Sequence, residues 1–131
     1  MPSTTMKKLT PVLVMRAVEP SLEFWEQRFG FTRTVDLPHE AAIGFAILVK
    51  DGVELMLQSE ASVRADFSAG DGPVDGNSAA LFLEIEDLDA VERALEGYPI
   101  TMARRTTFYG MHEIGVREPG GHFVIFAQPS K

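Results

Sequence analysis

The chain contains no cysteine, and that absence excludes disulfides, thiolate zinc sites and cysteine nucleophiles together. It also has no long apolar run. Every hydrophobic stretch falls well short of the roughly 20 residues that a membrane span needs, and the start, MPSTTMKKLT, carries charge without the apolar segment of a signal peptide. These features predict a soluble, cytoplasmic protein with no membrane partner. Positive charge is scarce, with 12 Lys and Arg against 19 Asp and Glu and a net charge of -7. Non-specific nucleic-acid binding, which needs a basic surface, is therefore excluded, and a cationic or neutral small molecule is the better-matched partner. No phosphate loop, dinucleotide glycine fingerprint, nucleophile elbow or kinase signature occurs, so nucleotide-dependent chemistry and serine hydrolysis find no support.

What is present is apolar content in short, turn-bounded pieces. At 131 residues and 45% hydrophobic content the chain suits one domain, 1–131, with a sizeable core. Its organising stretch runs from Tyr109 to Gln128, YGMHEIGVREPGGHFVIFAQ. Glu118-Pro119-Gly120-Gly121 supplies a turn, with proline presetting φ at the second position and glycine tolerating positive φ at the third. The flanks then read as two strands of a hairpin. Ile114 and Val116 alternate with Glu113, Gly115 and Arg117, and the run from Phe123 to Ala127 is apolar on both faces, as in a strand buried between layers. A hairpin of the same build lies earlier, Ile43 to Lys50 and Val53 to Gln58 around the turn signal Asp51-Gly52.

Each hairpin is preceded by a strand and a helix. Leu9 to Val18 reads as a strand, with Pro11 near its start. Glu19-Pro20-Ser21 opens a helix whose apolar face is Leu22, Trp25 and Phe29, ended by Gly30. Phe31 to Leu37 is a short strand and Pro38-His39-Glu40 a loop. In the second half, Ala79 to Ile85 reads as a strand, Asp87 begins a helix with Leu88, Val91, Ala94 and Leu95 on one face, and Pro99 to Thr107 is a strand. Between the halves, Glu60 to Asn77 shows little periodicity and much Gly, Asp and Pro, with one short turn around Val63 to Phe67. An offset of about 70 places lays Val18 on Leu88 and Trp25 on Leu95. The expected fold is thus α+β, two βαβββ modules at about 9–60 and 78–128 joined by a linker at about 61–77, forming a curved mixed sheet around a cavity.

In this order and spacing, PVLVMRAVEPSLEFWEQRFGF, DGVELMLQ and VREPGGHFVIFAQ resemble the vicinal oxygen chelate superfamily, which includes glyoxalase I, extradiol dioxygenases, fosfomycin-resistance proteins and bleomycin-resistance proteins. The resemblance covers Leu9 to Gln128. Its enzymes hold a divalent metal with side chains from the first and fourth strands of each module, and those positions fall at Thr10, Glu54, Ala80 and Ile125. Only Glu54 is a ligand type, whereas a catalytic divalent site normally needs about three protein ligands. The resemblance therefore implies the metal-free branch, of bleomycin-resistance type: a homodimer that sequesters a small organic molecule and needs no cofactor.

Strand parity places Glu54, Met56 and Gln58 on one side against Val53, Leu55 and Leu57, so Glu54 and Met56 face the cavity. A carboxylate among apolar walls would pair with a cationic ligand, or act as a general base with its pKa raised by desolvation. The same parity argument puts Glu113 and Arg117 on the cavity side, flanked by Tyr109 and His112. Phe82 and Phe123 share that side, and Phe45 and Phe108 join them as rings that could stack on a flat ligand. The predicted ligand-binding set is Glu54, Met56, Phe82, Tyr109, Glu113 and Phe123. The rival reading is an enzyme, a glyoxalase-like lyase, isomerase or dioxygenase, with a divalent metal in an atypical site or with acid/base chemistry carried by Glu54, His112 and Glu113. The third is a structural or regulatory dimer with a vestigial pocket. Trp25 reads as helix core, His39 and His122 as surface turn residues, and Arg104-Arg105 as a solvated strand edge.

Overall fold

A computed structural model describes residues 4–66 and 79–130. The first module runs β1 (Val12–Met15), α1 (Glu19–Glu23), a π-helical turn (Phe24–Arg28), β2 (Thr32–His39), β3 (Ala42–Lys50) and β4 (Val53–Ser59). A helix α2 (Glu60–Asp66) follows, and the second module runs β5 (Ala80–Glu84), α3 (Leu88–Ala94), β6 (Met102–Thr106), β7 (Met111–Arg117) and β8 (Phe123–Pro129). The strands form two four-stranded sheets, ordered β1-β4-β3-β2 and β5-β8-β7-β6. In each, the first strand runs parallel to the fourth and the remaining neighbours are antiparallel. The duplicated α+β architecture read from the sequence is the architecture of the molecule.

Local chemistry sets several boundaries. Asp51 and Gly52 both take positive φ, 51° and 82°, as a two-residue hairpin turn of the primed type requires. Asp87 caps α3 by accepting from the N–H groups of Asp89 and Ala90 at 3.0 and 3.3 Å. In the turn at Glu118, Gly121 N–H donates to the Glu118 carbonyl at 2.8 Å. The positive φ there, 96°, belongs to Gly121 and not to the predicted third position. Gly120 is required for a different reason: a Cβ would lie 2.7 Å from Glu118 Oε2 and 2.8 Å from Met15 Cε.

Four predicted boundaries move. The first strand shortens from Leu9–Val18 to Val12–Met15, and the strand predicted from Pro99 starts at Met102. β2 runs through Pro38 and His39, predicted as a loop, because β2 is an edge strand where a missing N–H is tolerated. Glu60 to Asp66, assigned to the linker, is helical; Val63 is its one buried residue, so no apolar stripe marks it. The rest of the predicted linker, from Phe67 to Asn77, lies outside the described residues.

One core serves both modules. It joins Leu13, Leu48, Leu55 and Leu57 of the first to Ile114, Val116, Val124 and Phe126 of the second. The helical segment after β1 is seated between them. Phe29 stacks on Phe126 at 4.9 Å, Phe24 meets Tyr98 at 4.9 Å, and Arg28 donates to the carbonyls of Ala94 and Glu96 at 3.1 and 2.9 Å. Phe24 and Trp25, adjacent in sequence, are both buried and meet edge to face at 5.1 Å. The widened π turn carries both rings inward, a distortion that often accompanies functional sites.

Candidate open faces and inter-module cavity

Each sheet turns alternate residues into this core and leaves part of its other face open; on the first sheet α2 lies against the far end, where Val14 and Gln58 are buried and Gln58 donates to Ser62 and Asp66. On the first sheet one row crosses all four strands as Val35, Ile47, Met56 and Val12, and the next begins Leu37, Phe45. Leu37 is 54% exposed and Val12 44%. On the second sheet the matching row is Phe82, Ile125, Gly115 and Met102. Phe82 is 52% exposed. Phe123 lies over Gly115, where a Cβ would come within 2.6 Å of its ring, and the Arg117 guanidinium covers it at 5.4 Å. Glu54, Met56, Phe82 and Phe123 thus all belong to the uncovered faces, as parity predicted.

Glu113 is fully buried at the edge of the second face. Its Oε1 accepts from Arg105 Nε and Nη2 at 3.2 and 3.1 Å, and its Oε2 accepts from the Tyr109 hydroxyl at 2.6 Å. The carboxylate fixes Arg105 and Tyr109 through these three bonds. The bond to Glu113 in turn holds the Tyr109 phenol above its ordinary pKa, with burial adding to the effect. Phe108, wholly exposed, meets Tyr109 edge to face at 5.1 Å. Arg104, expected to be solvated, pairs with Asp89 and Glu92 of α3 at 2.7 and 2.5 Å.

Glu54 is also engaged. It forms an ion pair with Lys8 and accepts from the Thr10 hydroxyl at 3.3 Å. The hydrogen-bonded Lys8 ammonium holds its pKa below the ordinary carboxylate value, against a smaller opposing effect of burial. The expected desolvated base with a raised pKa is therefore corrected: Glu54 is an ionised, paired carboxylate. His112 contacts Thr106 Oγ1 through Nδ1 at 2.9 Å and, as the neighbour of Glu113 on one strand, points to the opposite side of β7. A catalytic group built from Glu54, His112 and Glu113 does not assemble on one face.

The divalent-metal positions can be tested on their donors. Thr10 and Glu54 meet, but Ala80 pairs with Phe123 and Ile125 with Phe82, all alkyl or aromatic. Among the described residues no three His, Cys, Asp or Glu side chains converge as a metal would require. The residues present do not fit the superfamily's divalent site.

Sequence reasoning missed a second buried carboxylate. Glu118 accepts from the Ser21 hydroxyl at 2.6 Å and from His122 N–H at 3.1 Å, and His122 Nε2 lies 2.9 Å from the Val14 carbonyl. His122 is thus a bridge between modules and not a surface turn residue. No local signal marks this cluster, because Ser21 and Glu118 are 97 residues apart. His39 keeps an outward role, 4.0 Å from Glu40.

A cavity of about 450 Å³ lies where the modules meet. Leu55, Leu81, Leu83, Val124 and Trp25 wall it, with Lys8, Glu54 and Phe82 also in the lining. Glu54 and Phe82 are the two predicted ligand residues that it brings together; Met56, Glu113 and Phe123 lie elsewhere on the sheets, and Tyr109 in the turn between β6 and β7.

No curated protein matches the chain. Among solved structures, a glyoxalase/bleomycin resistance protein/dioxygenase from Nocardioides superposes with a TM-score of 0.75 at 20% identity, over 98% of this chain and 87% of that one. A lactoylglutathione lyase from Agrobacterium tumefaciens gives 0.70 at 18% identity, over 98% and 95%. TnmS3, an antibiotic binding protein from Streptomyces sp. CB03234, gives 0.67 at 17%, over 97% and 100%. These likenesses show the fold. The family model for the Glyoxalase/Bleomycin resistance protein/Dioxygenase superfamily matches residues 9–126, and the chain belongs to that superfamily.

Proposed function

We propose that this protein binds a small organic molecule, without a metal or other cofactor, on the uncovered faces of its two sheets, and that it works as a homodimer. The carrying observation is the pair of apolar rows left open in a single chain, Val35-Ile47-Met56-Val12 and Phe82-Ile125-Gly115-Met102. Val12, Val35, Leu37 and Phe82 on these faces are exposed, and apolar side chains grouped in the open mark an interaction site. A second copy would close the faces into a cavity, and Met56, Phe82 and Phe123 would supply apolar and aromatic walls. Tyr109, held by Glu113, offers the polar contact. Independence from metal is supported by the donor set, since the one carboxylate at the family positions is already paired with Lys8. A neighbour that binds an antibiotic supports an antibiotic-like or aromatic ligand.

The test is a screen of aromatic and cationic compounds by thermal melting, with and without chelator, alongside light scattering. A compound that binds the folded protein at 100 times its Kd should stabilise it by about 2.7 kcal/mol. We expect chelator-insensitive stabilisation that falls away in Met56→Ala and Phe123→Ala. A divalent ion bound at one per chain and lost in Glu54→Ala would instead establish the lyase, isomerase or dioxygenase reading.

A further inference from the structure

A second cavity, of about 530 Å³, opens where the β3–β4 turn of the first module faces the end of β5 in the second. It exists because β5 is an edge strand: β8 pairs with one side, and among the described residues no strand pairs with the other. Its inner wall is aromatic. Phe29, stacked on Phe126 at 4.9 Å, and Phe31 line it, with Leu83 and Ile85 beside them. The lip is charged. Lys50 and Asp51 on one side form an ion pair at 3.5 Å, whereas Glu84 and Glu86 on the other are exposed, and their carboxylates have no ion-pair or hydrogen-bond partner among the described residues. The cavity thus carries two uncompensated carboxylates beside a hydrocarbon floor. Its size, its apolar wall and the few polar groups at its lip are the features of a small-molecule site, and the residual negative charge selects a cation.

We infer that this cavity binds a small aromatic ammonium ion, with the ring against Phe29 and Phe31 and the charged nitrogen at Glu84 and Glu86. An ammonium group brings three donors and no acceptor, which suits a lip whose unmatched groups are carboxylates. The inference does not rest on the open-face reading. Met56, Phe82 and Phe123, on which open-face binding depends, do not line this cavity, and neither do the superfamily's metal positions. Phe29, Val53, Leu83 and Ile85 all pack against the core, so the cavity opens from the core layer rather than from an open sheet face. Only Val53 and Leu83 also line the first cavity.

A matched pair of probes tests this: 2-phenylethylamine, and 2-phenylethanol, which has the same outline without the charge. In nitrogen-15 spectra of the wild-type protein the amine should move the backbone resonances of Lys50, Val53, Glu84, Ile85 and Glu86 in a saturable titration. It should bind about three- to tenfold more tightly than the alcohol at low salt, the scale that exposed ion pairs allow, and added salt should shrink that margin. Replacing both carboxylates, Glu84→Gln with Glu86→Gln, should abolish the margin and leave the alcohol's affinity as it was, while Met56→Ala retains it. Equal affinity for the two probes, or a margin that survives the double substitution, overturns the inference. So does an absence of binding. Shifts confined to Met56 and Phe123 would move the amine to the open faces, refuting the inference and supporting the proposed function. Should the double variant fail to fold, the wild-type shifts and their salt dependence still decide.

Discussion

Glu113 accepts three hydrogen bonds while fully buried, and Tyr109 donates the shortest of them. Both tyrosines of the chain have phenols raised above the usual 10.0, Tyr109 mainly by its bond to Glu113 and Tyr98 mainly by burial. Absorbance titration at an alkaline tyrosinate band should therefore show no phenol ionising near the free value in the folded protein. Glu113→Gln should return one of them towards it. Because the folded pKa of Tyr109 is raised, its contribution to stability is complete below the unfolded value and is lost as pH rises through the folded one. A wild-type phenol titrating at the free value would refute this account of the cluster. Glu54 carries the opposite sign. Its folded pKa is depressed, so the tie to Lys8 contributes above the unfolded value of 4.5 and is lost as pH falls through the folded one. The melting difference between wild type and Lys8→Ala should be present at neutral pH and close in acid. Ser21→Ala should cost about 1.5–3 kcal/mol in urea denaturation, since it removes a hydrogen bond to the buried Glu118 carboxylate.

Among the elements, turns and caps follow nearest-neighbour chemistry, and they are where the sequence reads most directly. Asp51-Gly52, Asp87 and the Glu118 turn each carry their own signal in two to four adjacent residues. Asp87→Ala should destabilise by about 1 kcal/mol through two unsatisfied helix N–H groups. Gly120→Ala should cost more than Gly52→Ala in parallel urea melts. At Gly120 the new Cβ meets Glu118 and Met15, whereas at Gly52 nothing lies within 4 Å and only the positive φ is strained. The reverse ranking would mean that the Glu118 cluster yields easily. α2 escaped sequence reading because a helix with one buried side chain shows no apolar period. β2 outran its predicted end because an edge strand accepts proline.

For the whole molecule, the decisive feature is that both sheets turn inward to one core and leave apolar faces outward. Val35 and Leu37 sit on an edge strand of such a face, a surface that a monomer in water would be expected to protect. Leu37→Asp should shift the protein towards monomer in light scattering, while the fold, whose core does not use Leu37, persists by circular dichroism. A wild-type protein that is monomeric at all concentrations would remove the homodimer from the proposed function. Divalent ions should leave the melting temperature unchanged, because the donors at Ala80 and Ile125 do not exist.

The sequence by itself determined the duplication, the strand parity and the poverty of metal donors, because each depends on residue type and on spacings within one element. Parity placed Glu54, Met56, Phe82 and Phe123 on the open faces correctly. Only the tertiary structure decided what those residues meet. Lys8 reaches Glu54 from 46 residues away and Ser21 reaches Glu118 from 97, pairings that no local pattern encodes. Trp25 shows the division within one side chain. Its helical spacing predicts burial, but the cavity beside it exists because a helix of one module closes against the sheet of the other.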